Sequence, residues 1–216
     1  MEPVQPPSRP YRGTAAGDRV AERRERLVEA GIDVFGSTGY RTATVRAICA
    51  RAGLTKRYFY ESFTDSEALL LACYQRAADE ILTAMVHAVT GAPANVAAQL
   101  HAALAGYFGA IDGDQRLARI TLLEILGVSP AVDAAYRDQT ERFGSSVELL
   151  AQEAFTASDL PAIQRHLVAQ GIIGAITTVA AQWLLTERRA PLTDLVDATD
   201  VLVLAVLDRL RTGGTG

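Results

Sequence analysis

Residues Thr44 to Phe63 read TVRAICARAGLTKRYFYESF, and this stretch decides the fold. Two short helical patterns flank one glycine. Thr44 can cap the first, which turns Val45, Ile48 and Cys49 inward, and Thr55 can cap the second, which buries Phe59 and Phe63. Two helices that cross closely need a small residue where they touch, and Cys49 stands there. The turn then needs a positive φ four residues on, which Gly53 adopts without a steric clash. Leu54 follows as the apolar residue that pins the turn to the core. Spacing of this kind is the grammar of a helix-turn-helix. It leaves Lys56, Arg57, Tyr58, Glu61 and Ser62 outward and Tyr60 at the edge. Hydroxyls, a lysine and an arginine are the groups that bond phosphate oxygens and base edges in a major groove. The competing reading is an ordinary surface helical hairpin.

Working outward, residues 1–17 are Pro-rich and read as a flexible arm carrying Arg9 and Arg12. Asp18 is a plausible cap for a first helix with Val20, Leu27, Ile32, Val34 and Phe35 at roughly helical spacing; Gly36 and Gly39 stop it. Thr64-Asp65-Ser66-Glu67 fits a capping box that opens a long helix towards Val89. Further helical patterns cover about 94–109, 115–126, 130–155, 158–185 and 191–211. No Asn-Gly or Asp-Gly turn with alternating flanks occurs. The fold class is therefore all-α: an arm (1–17), a three-helix helix-turn-helix head (18–66) and a helical body (67–212).

Composition narrows the function. Hydrophobic residues make up 49% and charged residues 21% of 216, which excludes a disordered chain. Two cysteines and three isolated histidines offer neither a disulfide framework nor a metal cluster, and no metal or cofactor is expected. The net charge of −4 counts against a nucleic-acid binder until it is split. Through Ser66 there are 11 basic and 8 acidic residues; the remainder has 10 and 17. A head of +3 sits on a body of −7, the asymmetry of a DNA-facing domain on an acidic partner domain. That the basic residues are arginine except for Lys56 fits codon bias and says little of function.

The body contains two segments apolar on every side, Leu167 to Leu185 and Val201 to Leu207. Such helices are buried on more than one side, so a second subunit is expected over the last two helices, with Val203 and Leu207 in that interface. Leu167 to Leu185 approaches membrane-spanning length, but Gln170 and Gln182 and the absence of a second strong segment favour a soluble, cytoplasmic dimer. Polar tips set in apolar stripes mark a ligand cavity in the middle helices: His101, Tyr107, Thr121, Glu124, Tyr136 and Trp183. Each also reads as an ordinary core or surface residue. An enzyme is the main rival class. The sequence carries no phosphate loop, dinucleotide fingerprint, nucleophile elbow or metal-spaced histidine pair, so no catalytic residue is expected. A helical interaction module without DNA is the third reading.

Residues 27–70 resemble the DNA-binding domain of the tetracycline-repressor (TetR) family. The resemblance rests on Phe35, Gly39-Tyr40, Thr44-Val45, Ile48, Ala52-Gly53-Leu54-Thr55, Tyr60, Phe63 and Glu67-Ala68-Leu69-Leu70. It implies a homodimer on a palindromic operator, most often a repressor released by a small molecule. It implies that the third helix enters the major groove, that Tyr60 grips a phosphate, and that Thr44 meets the backbone. With Arg46, Thr55, Lys56, Arg57, Tyr58, Glu61 and Ser62, these make the expected DNA contacts. Departures from the family pattern are Arg57 in place of a common Gly, Glu61 in place of His or Tyr, Ser62 in place of Tyr or His, and Ser66 in place of a phosphate-binding lysine. A carboxylate at Glu61 would be repelled by phosphate unless it accepts from a cytosine amino group; the plainer alternative, favoured here, is that a neighbouring arginine neutralises it.

Overall fold

The structure, a computed structural model, describes residues 12–158, 160–187 and 189–212; residues 1–11 of the expected arm lie outside the described residues. Every described element is a helix. α1 (Arg12–Thr38), α2 (Val45–Ala52) and α3 (Lys56–Ser62) form the head. α4 (Ser66–Thr90), α5 (Val96–Gly113), α6 (Gln115–Arg119), a π-helical turn (Ile120–Glu124), α7 (Pro130–Leu150), α8 (Gln152–Ala157), α9 (Ala162–Leu185) and α10 (Leu192–Thr212) form the body.

The turn between α2 and α3 is built as its residues dictate. Thr44 Oγ1 accepts from Ala47 N at 3.2 Å and caps α2. Gly53 is left-handed at φ 63°, and its turn closes through Leu54 N donating to Cys49 O at 2.9 Å. A side chain forced into that conformation costs about 1–2 kcal/mol. Arg26 of α1 donates to Ala52 O at 2.7 Å, so the end of α2 is held from outside as well. Phe35, Ile48, Phe59, Leu69 and Leu70 are fully buried in the head's core.

Some boundaries differ from the sequence reading. α1 already includes Arg12 to Gly17, assigned above to the arm. Ala15 and Ala16 favour helix, and the roughly 1 kcal/mol cost of Gly13 or Gly17 does not stop a helix anchored further along. α4 is capped by Asp65, which accepts from Ala68 N at 2.8 Å, not by Thr64. Glu67 is thereby freed from a capping box and accepts instead from Ser129 Oγ at 2.8 Å, tying α4 to the start of α7. The expected helix over 130–155 breaks at Ala151 into α7 and α8.

Two apolar cores result. The head's core draws in Tyr74 and Ala77 of α4, and also Leu117, Ile120, Ile125 and Val132 of the body, so head and body are joined by packing as well as by α4. The second core is made by α4, α5, α7, α8, α9 and α10. Within it Val203 is 0% exposed, whereas Val201 is 70% exposed. Val203 and Leu207 therefore belong to this chain's own core, and the face left open on α10 is that of Val201 and Leu202. α9 is long and apolar enough to cross a membrane by length and composition. It is packed into the body through Ala169, Ile172, Ile176, Ala180 and Trp183, and leaves Ile163 and Leu167 exposed.

Candidate nucleic-acid interface and effector cavity

α3 projects from the head with one side anchored by Phe59 and the other in solvent. Lys56, Arg57, Tyr60 and Glu61 are exposed on it, and Tyr58 and Ser62 are half-buried. Thr44, Arg46 and Thr55 are exposed at the starts of α2 and α3. All nine sequence candidates thus lie on the head, on two short helices and their caps. Thr55 makes no side-chain cap bond, which leaves its hydroxyl to face outward. Among the described residues Arg46 and Lys56 have no ion-pair partner, so their charge is available to phosphate.

Other charges in the head are already engaged. Glu61 pairs with Arg57 at 3.0 Å along α3 and lies 4.0 Å from Arg23 of α1. Arg23 also stacks over the Tyr58 ring at 4.5 Å, and Arg24 over Phe63 at 4.9 Å. Arg51 pairs with Asp33. The +3 of the head is thus partly spent on structure, and the carboxylate of Glu61 is balanced by two guanidinium groups.

The body holds a cavity of about 490 Å³ among α4, α5, the π turn, α7 and α9. That lies within the roughly 300–1,000 Å³ of small-molecule sites. Its wall contains no Asp, Glu, Lys, Arg or His among the described residues. Leucines, isoleucines, valines and Met85 make up half of its lining, and Val86, Ser146 and Leu149 at its edge are exposed. Of the six residues expected here, Tyr107, Thr121 and Tyr136 line the cavity. The other three do not. His101 faces Asp200 of α10 at 3.5 Å, and Trp183 donates its indole N–H to Ala190 O at 2.9 Å. Tyr74 and Gln139 also line the cavity and were missed. Both sit in stripes that read as plain helix core and plain helix surface, and only the tertiary packing of α4 against α7 brings them together.

Glu124 has a different place. It ends the π turn, accepts from Tyr40 N at 2.8 Å, and pairs with Arg119 Nε at 2.8 Å. Tyr40 follows Gly39, which takes φ 87° in the turn leaving α1. A Cβ on Gly39 would stand 3.2 Å from Glu124 Oε1. A second tie runs from α6: Arg116 pairs with Asp33 of α1 and with Asp114, whose carboxyl these hydrogen bonds hold below the ordinary carboxylate range. Gly36 allows this approach, because a Cβ there would meet the Arg116 backbone at 2.6 Å. Thr121 and Leu122 of the same π turn line the cavity, so one short segment touches both the cavity and the head. π-helical turns are rare and concentrate at functional sites.

A helix-turn-helix head with an exposed third helix, seated on a helical body with an uncharged cavity, defines a DNA-binding regulator with an effector domain. Residues 27–73 match the family described as bacterial regulatory proteins, tetR family. The transcriptional activator FasR of Mycolicibacterium smegmatis is 28% identical over 194 residues, covering 88% of this chain and 86% of that protein. FadR from Bacillus subtilis, solved with stearoyl-CoA, superposes with a TM-score of 0.72 at 19% identity, over 88% of this chain and 98% of FadR. FadR from Bacillus halodurans, a fatty acid degradation regulator, gives 0.71 at 20% identity, over 88% and 95%. At these identities the two structures speak for the fold alone. Residues 27–73 are thus a DNA-binding domain of the tetR family, and over most of its length the chain is similar to a transcriptional regulator.

Proposed function

We propose that this regulator binds a palindromic operator as a homodimer and releases it when a long apolar acyl chain enters the cavity of the body. The observation that carries the ligand class is the wall itself: some 490 Å³ lined without a single charged side chain among the described residues. Burying an ion there would go uncompensated, whereas each buried methylene contributes about 0.8 kcal/mol. FasR and the stearoyl-CoA-bound FadR support the same class. On this reading the chain acts in the cytoplasm by binding and not by catalysis.

On the DNA side, α3 enters the major groove. Tyr60, Lys56 and Arg46 meet phosphates, Thr44 and Thr55 bond the backbone, and Arg57, Tyr58 and Ser62 approach base edges; Glu61 holds Arg57 in place. Residues 18–66 supply the DNA-binding unit and 67–212 the effector and dimer unit. The dimer forms over α9 and α10, through Ile163, Leu167, Val201 and Leu202, each apolar and exposed. Tyr107, Thr121 and Tyr136 belong to the effector site.

The two sites communicate through α6 and the π turn. An acyl chain pressing on Leu122 shifts the segment whose Arg116 and Glu124 hold Asp33 and Tyr40. The head then turns relative to the body, and the two α3 helices lose the spacing of about 34–36 Å that successive major grooves require. Coupling of this kind is typically worth about 1–3 kcal/mol. Release gives derepression where the operator overlaps a promoter, the arrangement we favour, and loss of activation where it lies upstream. The test is a titration of the full chain with stearoyl-CoA, read by intrinsic fluorescence. Saturable one-to-one binding per protomer supports the reading; no binding of any acyl chain removes it.

A further inference from the structure

Tyr74, Tyr107 and Gln139, from α4, α5 and α7, are 4%, 7% and 5% exposed and line the cavity. None has a side-chain hydrogen-bond partner among the described residues. Tyr136 of α7, half-buried, joins them on the cavity wall. The phenols lie near enough that Tyr136 raises the pKa of both Tyr74 and Tyr107, after the larger effect of burial. Tyr74 and Tyr107 therefore stay protonated and remain donors across the physiological range. The hydroxyls of Thr121 and Thr140, by contrast, are satisfied by their own helices, at 3.0 Å to Leu117 O and 2.9 Å to Tyr136 O. Four polar tips from three helices thus meet the cavity, whose remaining wall is mostly apolar but also carries Thr90, Gln99, Ser146 and Thr177. Buried polar groups of native proteins are almost always hydrogen-bonded, so groups left open towards a cavity point to a ligand that completes them.

Val86 lies about three turns along α4 from Tyr74, and Ser146 and Leu149 about three turns along α7 from Tyr136 and Gln139, so this exposed edge stands away from the cluster. A chain that enters there with its polar head outside places its methyl half against the tyrosines. A plain alkyl end would bury three phenols and an amide against methylenes. We infer that the effector is an oxygenated acyl chain, with a neutral hydroxyl or keto oxygen in its methyl half that accepts from one or two of the donors Tyr74, Tyr107, Tyr136 and Gln139. This rests on the acyl-chain reading above. A carboxylate does not suit the position, since the wall supplies donors but no countercharge among the described residues.

The test measures binding of the full-length protein to stearoyl-CoA and to a series of hydroxystearoyl-CoA probes with the hydroxyl moved from the thioester end to the methyl end. Affinity is expected to peak at one position in the methyl half, by about three- to tenfold per hydrogen bond gained. Tyr107→Phe and Tyr136→Phe are expected to flatten the peak, since they delete donors and keep the rings. A hydroxyl that weakens binding at every position, with stearoyl-CoA still bound, overturns this inference alone. A peak that survives both Phe variants overturns it too. Failure of every acyl chain to bind removes the acyl reading and this inference together.

Discussion

Replacing Glu124 by Ala cuts the tie between the π turn and the head. Its carboxylate accepts from the Tyr40 N–H and from Arg119 Nε, both at 2.8 Å, and its side chain is largely shielded from solvent. The variant strands a half-buried backbone donor and a guanidinium. Leaving such donors without an acceptor costs about 1–3 kcal/mol, and the lost partner is charged. For a chain of this size 1 kcal/mol lowers Tm by roughly 2–4 °C, so a fall of roughly 3–10 °C is expected by scanning calorimetry. Glu124→Gln keeps an acceptor for Tyr40 but loses the charge facing Arg119, and should fall in between. The functional consequence is sharper than the loss of stability. Effector affinity, set by the cavity, should hardly change, while the effector-induced drop in DNA affinity should shrink several-fold, because the polar tie from the π turn to the head is gone and only that from Arg116 to Asp33 remains. An unchanged Tm would refute the energetic argument. A full effector response in a destabilised variant would refute the coupling path.

Four further outcomes follow from the same geometry. Tyr60→Ala should weaken operator binding in an anisotropy assay with no change in Tm, since the ring is exposed; unchanged affinity removes it from the interface. Lys56→Ala should reduce the slope of log affinity against log salt by about one unit if the ammonium neutralises one phosphate. Val201→Asp should give folded monomers in sedimentation, whereas Val203→Asp, in this chain's own core, should unfold it; a stable Val201→Asp dimer sinks the α9–α10 interface. Asp114 is held below its ordinary pKa by Arg116, so its contribution is present above about pH 4 and fades as pH falls through the lower folded value. Asp114→Asn should therefore flatten the acid side of a stability-versus-pH curve, and an unaltered curve counts against that pair.

Much of the head could be read from residues alone because its constraints are local. Gly53 must take a positive φ, Cys49 must be small, and Phe59 and Phe63 are one turn apart, so a few positions fix the whole unit. The body is different. Apolar periodicity located α9 and α10 but could not say which side faces home, and Val203 and Val201 came out on opposite sides. The cavity was half legible. Tyr107, Thr121 and Tyr136 stand out as polar tips in apolar stripes, yet so do His101 and Trp183, which found partners at Asp200 and Ala190. Tyr74 and Gln139 carried no local signal, since their meeting depends on how α4 and α7 pack. Glu124 was noticed for its chemistry, but its role at the joint follows from a contact with Tyr40, 84 residues away in sequence. No window of the chain contains that contact.

A chain that reads DNA with α3 and is released by an acyl chain in the body must answer to both ligands at once. The most direct measurement is anisotropy of a labelled duplex from the DNA flanking its own gene, titrated with the full-length protein with and without stearoyl-CoA. Two protomers are expected on a near-palindrome, displaced as the acyl ligand saturates. Binding that ignores sequence, or a specific complex that every acyl ligand leaves intact, would contradict it.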